Sequence, residues 1–135
     1  MLPSSAKVLI VDDMSTMRKY VRQCLSGFGI DNVTEADDGD TAWQAVEEAF
    51  KSGTPFDFII TDWNMPRMQG IDLLWLVRSD ERTHALPVLM LTGEGSQHQI
   101  IEAIQAGASA YLVKPFTPEN LSDRVEIAAR TALNS

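Results

Sequence analysis

Three aspartates stand where short apolar runs end: Asp12 and Asp13 follow Val8-Leu9-Ile10-Val11, and Asp62 follows Phe58-Ile59-Ile60-Thr61. Two polar residues take the same place after later runs, Thr92 after Val88 to Leu91 and Lys114 after Ala110 to Val113. Carboxylates gathered in one pocket repel each other, by on the order of 4 kcal/mol for a pair 4 Å apart at an effective dielectric of 20. A cation relieves that repulsion. Mg2+ suits such a set, because it takes octahedral oxygen ligands, keeps several waters and typically uses one or two carboxylates with a phosphate oxygen. Thiol- and imidazole-preferring metals find no ligands, since Cys24 is the sole cysteine and His84 and His98 are isolated. With the metal and the Lys114 ammonium beside it, one carboxylate can attack a phosphoryl group and hold it as an aspartyl phosphate.

The elements that must position these groups alternate in period along the chain. Val8 to Val11 is a β-branched run suited to a strand buried on both faces. From Ser15, read as an N-cap, Met17, Tyr20, Val21, Cys24, Leu25 and Phe28 recur at three- and four-residue spacing, which predicts a helix stopped near Gly27-Phe28-Gly29. A strand over Val33 to Ala36 precedes a helix with the stripe Ala42, Trp43, Val46, Ala49 and Phe50, closed by Gly53 and Pro55. Phe58 to Thr61 is the third strand. A helix from about Gly70 to Ser79, a strand over Val88 to Leu91, a helix from about Gln97 to Ala106 and a strand over Ala110 to Val113 follow. Thr117-Pro118 opens the last helix with a cap and a first-turn proline.

Five strands alternating with five helices predict an α/β fold, a parallel sheet covered on both faces, and the flavodoxin-like example of such doubly wound sheets has the order 2-1-3-4-5. Such sheets bind ligands beyond the carboxyl ends of their strands, where the strand order reverses. That is the edge on which the acids, Thr92 and Lys114 fall.

A chain of 135 residues buries enough surface to fold without a disulfide or metal staple, and its single cysteine has no intrachain partner. A reducing, cytoplasmic setting is expected. No apolar run approaches the roughly 18 residues of a membrane span, and Met1 to Ala6 lacks the pattern of a secretory signal, so no membrane insertion is expected. A formal charge of −8 argues against a nucleic-acid partner, whose phosphates demand clustered Lys and Arg.

The strings Asp12-Asp13-Met14-Ser15-Thr16-Met17-Arg18, Thr61-Asp62-Trp63-Asn64-Met65-Pro66, Leu86-Pro87-Val88-Leu89-Met90 and Lys114-Pro115-Phe116-Thr117 make the chain resemble receiver domains of response regulators. Within them it is most similar to the chemotaxis CheY type. The resemblance covers essentially the whole chain and implies one receiver domain over residues 1–135, with a core of about 6–132.

It further implies a signalling protein of a two-component system, not an enzyme acting on other substrates. It would catalyse its own phosphorylation and dephosphorylation. Asp62 would take the phosphoryl group from a CheA-like histidine kinase. Asp13, Asp62 and the main-chain carbonyl of Asn64 would bind Mg2+ directly, with Asp12 acting through water. Lys114 would bond the phosphoryl oxygens, next to a cis Lys114-Pro115 peptide. Thr92 and Tyr111 would form the switch, and Asn64 and Glu94 would tune self-dephosphorylation toward a short-lived phosphoryl state. The face built from helix four, strand five and helix five would bind a target such as the flagellar motor switch, with the protein a monomer.

Two stretches depart from that pattern. Glu47 to Phe56 is a few residues longer, and Gly93-Glu94-Gly95-Ser96-Gln97-His98, with Arg124 and Ile127, lacks most of the lysines that meet an acidic motor peptide in motor-binding relatives. Weaker steering of such a peptide follows, leaving a phosphate sink or an adaptor as alternatives. A flavodoxin-like or dinucleotide binder needs a hydroxyl- or glycine-rich loop where Asp12-Asp13 stands. A haloacid-dehalogenase-like phosphatase needs a second acid at Asn64, and a phosphorylation-independent pseudo-receiver would not need the full catalytic set. Trp75 lies on a helix apolar almost all round, where a tryptophan flat on the domain's own surface is favoured over a docking patch.

Overall fold

The computed structural model describes residues 2–93 and 97–133. The chain runs β1 (Val8–Val11), α1 (Ser15–Gly27), β2 (Val33–Ala36), α2 (Gly39–Lys51), β3 (Phe58–Asp62), α3 (Gly70–Ser79), β4 (Val88–Thr92), α4 (Gln97–Ala106), β5 (Ala110–Val113) and α5 (Pro118–Leu133). All neighbouring strands pair in parallel, in the order β2-β1-β3-β4-β5. The doubly wound topology is therefore the expected one.

Alternation along the strands divides the core in two. Leu9, Val11, Ile59, Val88 and Met90 face α2, α3 and α4, where they meet Val46, Leu73, Leu74, Val77 and Ala103. Val8, Ile10, Phe58, Ile60, Leu89 and Leu91 face α1 and α5, where they meet Val21, Cys24, Leu25, Leu121, Val125 and Ala128. Both faces of the central strands are thus covered, which is why their sequences read as continuous apolar runs. Cys24 is buried on this second face.

The helix ends show where local chemistry governs. At α2, Asp38 and Thr41 form a capping box, and at α5 Thr117 and Asn120 bond each other's main-chain N–H at 3.1 Å. Gly53 takes φ +75° just beyond α2, a left-handed turn that suits glycine. The expectation that Ser15 caps α1 is corrected: Met14 is the N-cap, without a side-chain cap, and Ser15 is already helical. The reason is Asp12, whose Oδ1 accepts from the Met14 N–H at 2.9 Å and so turns the chain into the helix one residue sooner.

β3 and β4 each run one residue further than the apolar pattern suggests, and Asp62 and Thr92 are their last residues. That extension makes both functional candidates part of the rigid sheet. Trp75 is 59% exposed on α3, and Ile101, Ile104 and Ile127 are also exposed. No helix among the described residues is long and apolar enough to cross a membrane.

Candidate phosphoryl-acceptor site

Strand register brings the candidates together. Val11 pairs with Thr61, so the residues that follow, Asp12 and Asp62, leave adjacent strands side by side. Asp62 pairs with Leu91, and Thr92 follows it and pairs with Val113. The Lys114 N–H donates to the Thr92 carbonyl at 2.8 Å, which extends the ladder to the lysine.

Lys114 turns into the site. Its Nζ lies 3.0 Å from Asp62 Oδ1 and 3.2 Å from Asp12 Oδ2, so one ammonium is shared between two carboxylates. The Lys114-Pro115 peptide is cis, as the resemblance implied. Asp12 and Asp62 are buried whereas Asp13 is exposed, yet one oxygen from each of the three lies within 4.8 Å of the others. A hard cation fits this donor set of three carboxylates. No thiol or imidazole contributes to it.

Burial pushes the Asp62 carboxyl above its ordinary value, and the Asp12 charge pushes it further, while Lys114 only partly opposes them. For Lys114, burial disfavours the ammonium, but the ion pairs with Asp62 and Asp12 outweigh it and raise its pKa. The site thus holds a poorly solvated carboxyl, whose charged form is disfavoured, beside a lysine whose charged form its ion pairs favour.

Of the remaining candidates, Thr92 is buried with its hydroxyl 3.4 Å from Gln99 Oε1. Tyr111 is half-buried on β5, and the Arg124 guanidinium lies over its ring, 5.4 Å from the centroid. Asn64 is exposed in the loop between β3 and α3. Glu94 lies outside the described residues. His84 and His98 are exposed and stand apart from the acidic cluster.

Three supporting residues escaped the sequence reading. Arg18 donates through Nη1 to the Asp12 carbonyl at 2.6 Å and through Nε to Glu35 at 2.9 Å, bracing the turn that carries the acids. Gly70 lies against the Asp62 carbonyl, too close for any side chain. Asp38, fully buried, accepts from the main-chain N–H groups of Arg67 and Met68 in the Asn64 loop. Only Asp38 left a trace in the sequence, since Asp-x-x-Thr ahead of a helical stripe is an N-cap signal.

A parallel sheet of this order thus gathers an acidic cluster and a lysine at its carboxyl edge, the arrangement that the resemblance to receiver domains implied. The chain belongs to the response regulator receiver domain family, whose profile matches residues 8–126. It is thus a receiver of the phosphorylation-activated response regulators.

Among curated relatives, it is 54% identical over 120 residues to the chemotaxis protein CheY of Pseudomonas aeruginosa, covering 89% of this chain and 93% of that one. It is 50% identical over 125 residues to the chemotaxis protein CheY-3 of Vibrio cholerae, covering 93% and 92%. Among solved structures, Vibrio cholerae CheY4 superposes with a TM-score of 0.79 at 39% identity, covering 90% of this chain and 97% of that one. A putative response regulator from Chloroflexus aurantiacus gives 0.81 at 36% identity, covering 93% and 99%.

Proposed function

We propose that this chain is a chemotaxis response regulator in which Asp62 accepts a phosphoryl group from a histidine kinase. The observation that carries the reading is the shared ammonium of Lys114, 3.0 Å from Asp62 and 3.2 Å from Asp12, at the carboxyl edge of the sheet. An Asp62 carboxylate oxygen attacks phosphorus, the phosphorus–nitrogen bond to the kinase histidine breaks, and the leaving imidazole takes a proton. Lys114 stabilises the charge on the transferring oxygens.

Asp13, Asp62 and the Asn64 carbonyl would hold Mg2+, with Asp12 reaching it through water. Bound there, the metal supplies charge neutralisation of the phosphoryl oxygens. Thr92 and Tyr111 carry the change to the face of α4, β5 and α5. Asn64 and Glu94 tune the return to the unphosphorylated state.

Names of the relatives support chemotaxis as the setting. The target is less constrained: α4 carries no lysine or arginine, which favours a phosphate sink or an adaptor over capture of an acidic motor peptide.

The test is intact mass after incubation with a small acyl phosphate, with and without Mg2+, for the wild type and Asp62→Asn. One Mg2+-dependent phosphoryl group, absent from the variant, is expected. An unmodified wild type, with both the acyl phosphate and a phosphorylated kinase as donors, would make the chain a pseudo-receiver.

A further inference from the structure

The loop from Asp62 to α3 is held from outside by a residue that touches none of the reacting groups. Asp38 is fully buried. Its Oδ1 accepts from the main-chain N–H of Met68 at 2.6 Å and of Gly39 at 2.8 Å, and its Oδ2 accepts from the main-chain N–H of Arg67 at 3.0 Å. The return contact is made by the Gly39 N–H, which also donates to the Met68 carbonyl at 3.1 Å. A Cβ on Gly39 would stand 2.6 Å from that carbonyl oxygen, so only glycine lets the two segments meet.

One carboxylate therefore caps α2 and clamps a loop about thirty residues away. Hydrogen bonds to an ionised acceptor are short and roughly twice as strong as neutral ones. Withdrawing the acceptor leaves two loop amides without their partner, each costing about 1–3 kcal/mol where water cannot replace it.

The clamped loop is the segment on which Asn64 rides, between the acceptor Asp62 and the clamp at Arg67 and Met68. Trp63 and Met65 are buried within it, while Asn64 and Pro66 are exposed. Octahedral coordination tolerates little error in the direction of an oxygen ligand. Groups that orient metal ligands typically contribute 10–100-fold to affinity.

We infer that Asp38 is a positioning residue for the acceptor site, fixing the β3–α3 loop through the Arg67 and Met68 amides so that the Asn64 carbonyl is presented to a divalent cation. This rests on the reading of Asp62 as a Mg2+-dependent acceptor. The side chain of Arg67 is not part of the device. Its ion pairs with Asp37 and Asp40 are at least two-fifths exposed on every partner and are worth little.

The test is a Mg2+ titration followed by NMR amide shifts on the full chain. Asp38→Ser retains a helix-capping hydroxyl but is too short to reach Arg67 and Met68. It is expected to stay folded, lose amide-exchange protection at those two residues and bind Mg2+ about tenfold more weakly. Arg67→Ala, which keeps the main-chain clamp, is expected to bind Mg2+ as the wild type does. Should Asp38→Ser fail to fold, Asp38→Asn replaces it: one oxygen still accepts, while the new amide opposes a loop N–H, and a several-fold loss is expected.

Unchanged Mg2+ affinity in a folded Asp38 variant that has lost protection at Arg67 and Met68 overturns the inference alone. An equal loss in Arg67→Ala overturns it in favour of a charge effect. A wild type that binds no Mg2+ removes the acceptor reading and this inference with it.

Discussion

Gly70 packs against the main-chain carbonyl of Asp62 so tightly that a methyl group on its Cα would overlap that oxygen. The Gly70 N–H donates to the Trp63 carbonyl at 2.9 Å, and Met90 Sδ closes the third side at 3.2 Å from the same Cβ position. The first turn of α3 is thereby pressed onto the end of β3, and the obstacle is main chain, which has no rotamer to yield.

Gly70→Ala should therefore destabilise the protein by about 1–3 kcal/mol, the usual range for overpacking a closed site. It should also slow phosphorylation from a small acyl phosphate, because relief of the clash moves Asp62. Urea denaturation and single-turnover phosphorylation check the two effects. A variant that is destabilised yet phosphorylated at the wild-type rate would show that the loop moves and Asp62 does not.

Asp62→Asn should stabilise the metal-free protein at neutral pH. The wild-type carboxyl has a folded-state pKa above the unfolded value of 3.8. Its favourable contribution is fully present below that unfolded value and is lost as pH rises through the folded one. The variant, which cannot ionise, should gain relative to the wild type across that rise. At pH 7 the sign of the gain should survive the loss of the Lys114 contact, because burial and the Asp12 charge outweigh that contact. Thermal melts in a chelator between pH 3 and pH 8 check the sign. Added Mg2+ should then stabilise the wild type far more than the variant.

Arg78→Ala should destabilise the fold by about 3 kcal/mol without changing phosphorylation. The Arg78 guanidinium donates to the carbonyls of Leu86 at 2.6 Å, Gly107 at 2.9 Å and His84 at 3.2 Å, and to the Ser109 hydroxyl at 3.2 Å. It ties the end of α3 to the entries of β4 and β5, and hydrogen bonds from a charged donor are worth about 1.5–3 kcal/mol. Equilibrium unfolding beside acyl-phosphate labelling separates a scaffold role from a role in the site.

These residues also mark what the sequence could tell. Asp12, Asp13, Asp62, Thr92 and Lys114 were legible because each ends or follows a strand of unambiguous apolar pattern, and a parallel sheet sends every such end to one edge. Asp38 left only an N-cap signal, because the partners of its clamp are main-chain groups 29 and 30 residues away. Periodicity carries no information about such contacts. Arg78 was hidden in the same way, since its acceptors are carbonyls that every residue possesses. Ser15 was misjudged because the nearby Asp12 side chain competes for the first free N–H of the turn. Trp75 shows the limit of pattern in the other direction: the stripe identified an apolar helix, and only tertiary packing decides which ring stays 59% exposed.

The pairing of Lys114 with Asp62 and Asp12 also bears on how the chain is made. Its carboxylates stand at the ends of β1 and β3 and its ammonium just after β5, so both acids leave the ribosome before their cation does. A growing chain that already displays Asp62 lacks the ammonium until β5 has emerged and docked beside β4. Unfinished chains thus present two aspartates without their cationic partner, and the ion pair forms only once the sheet is closed.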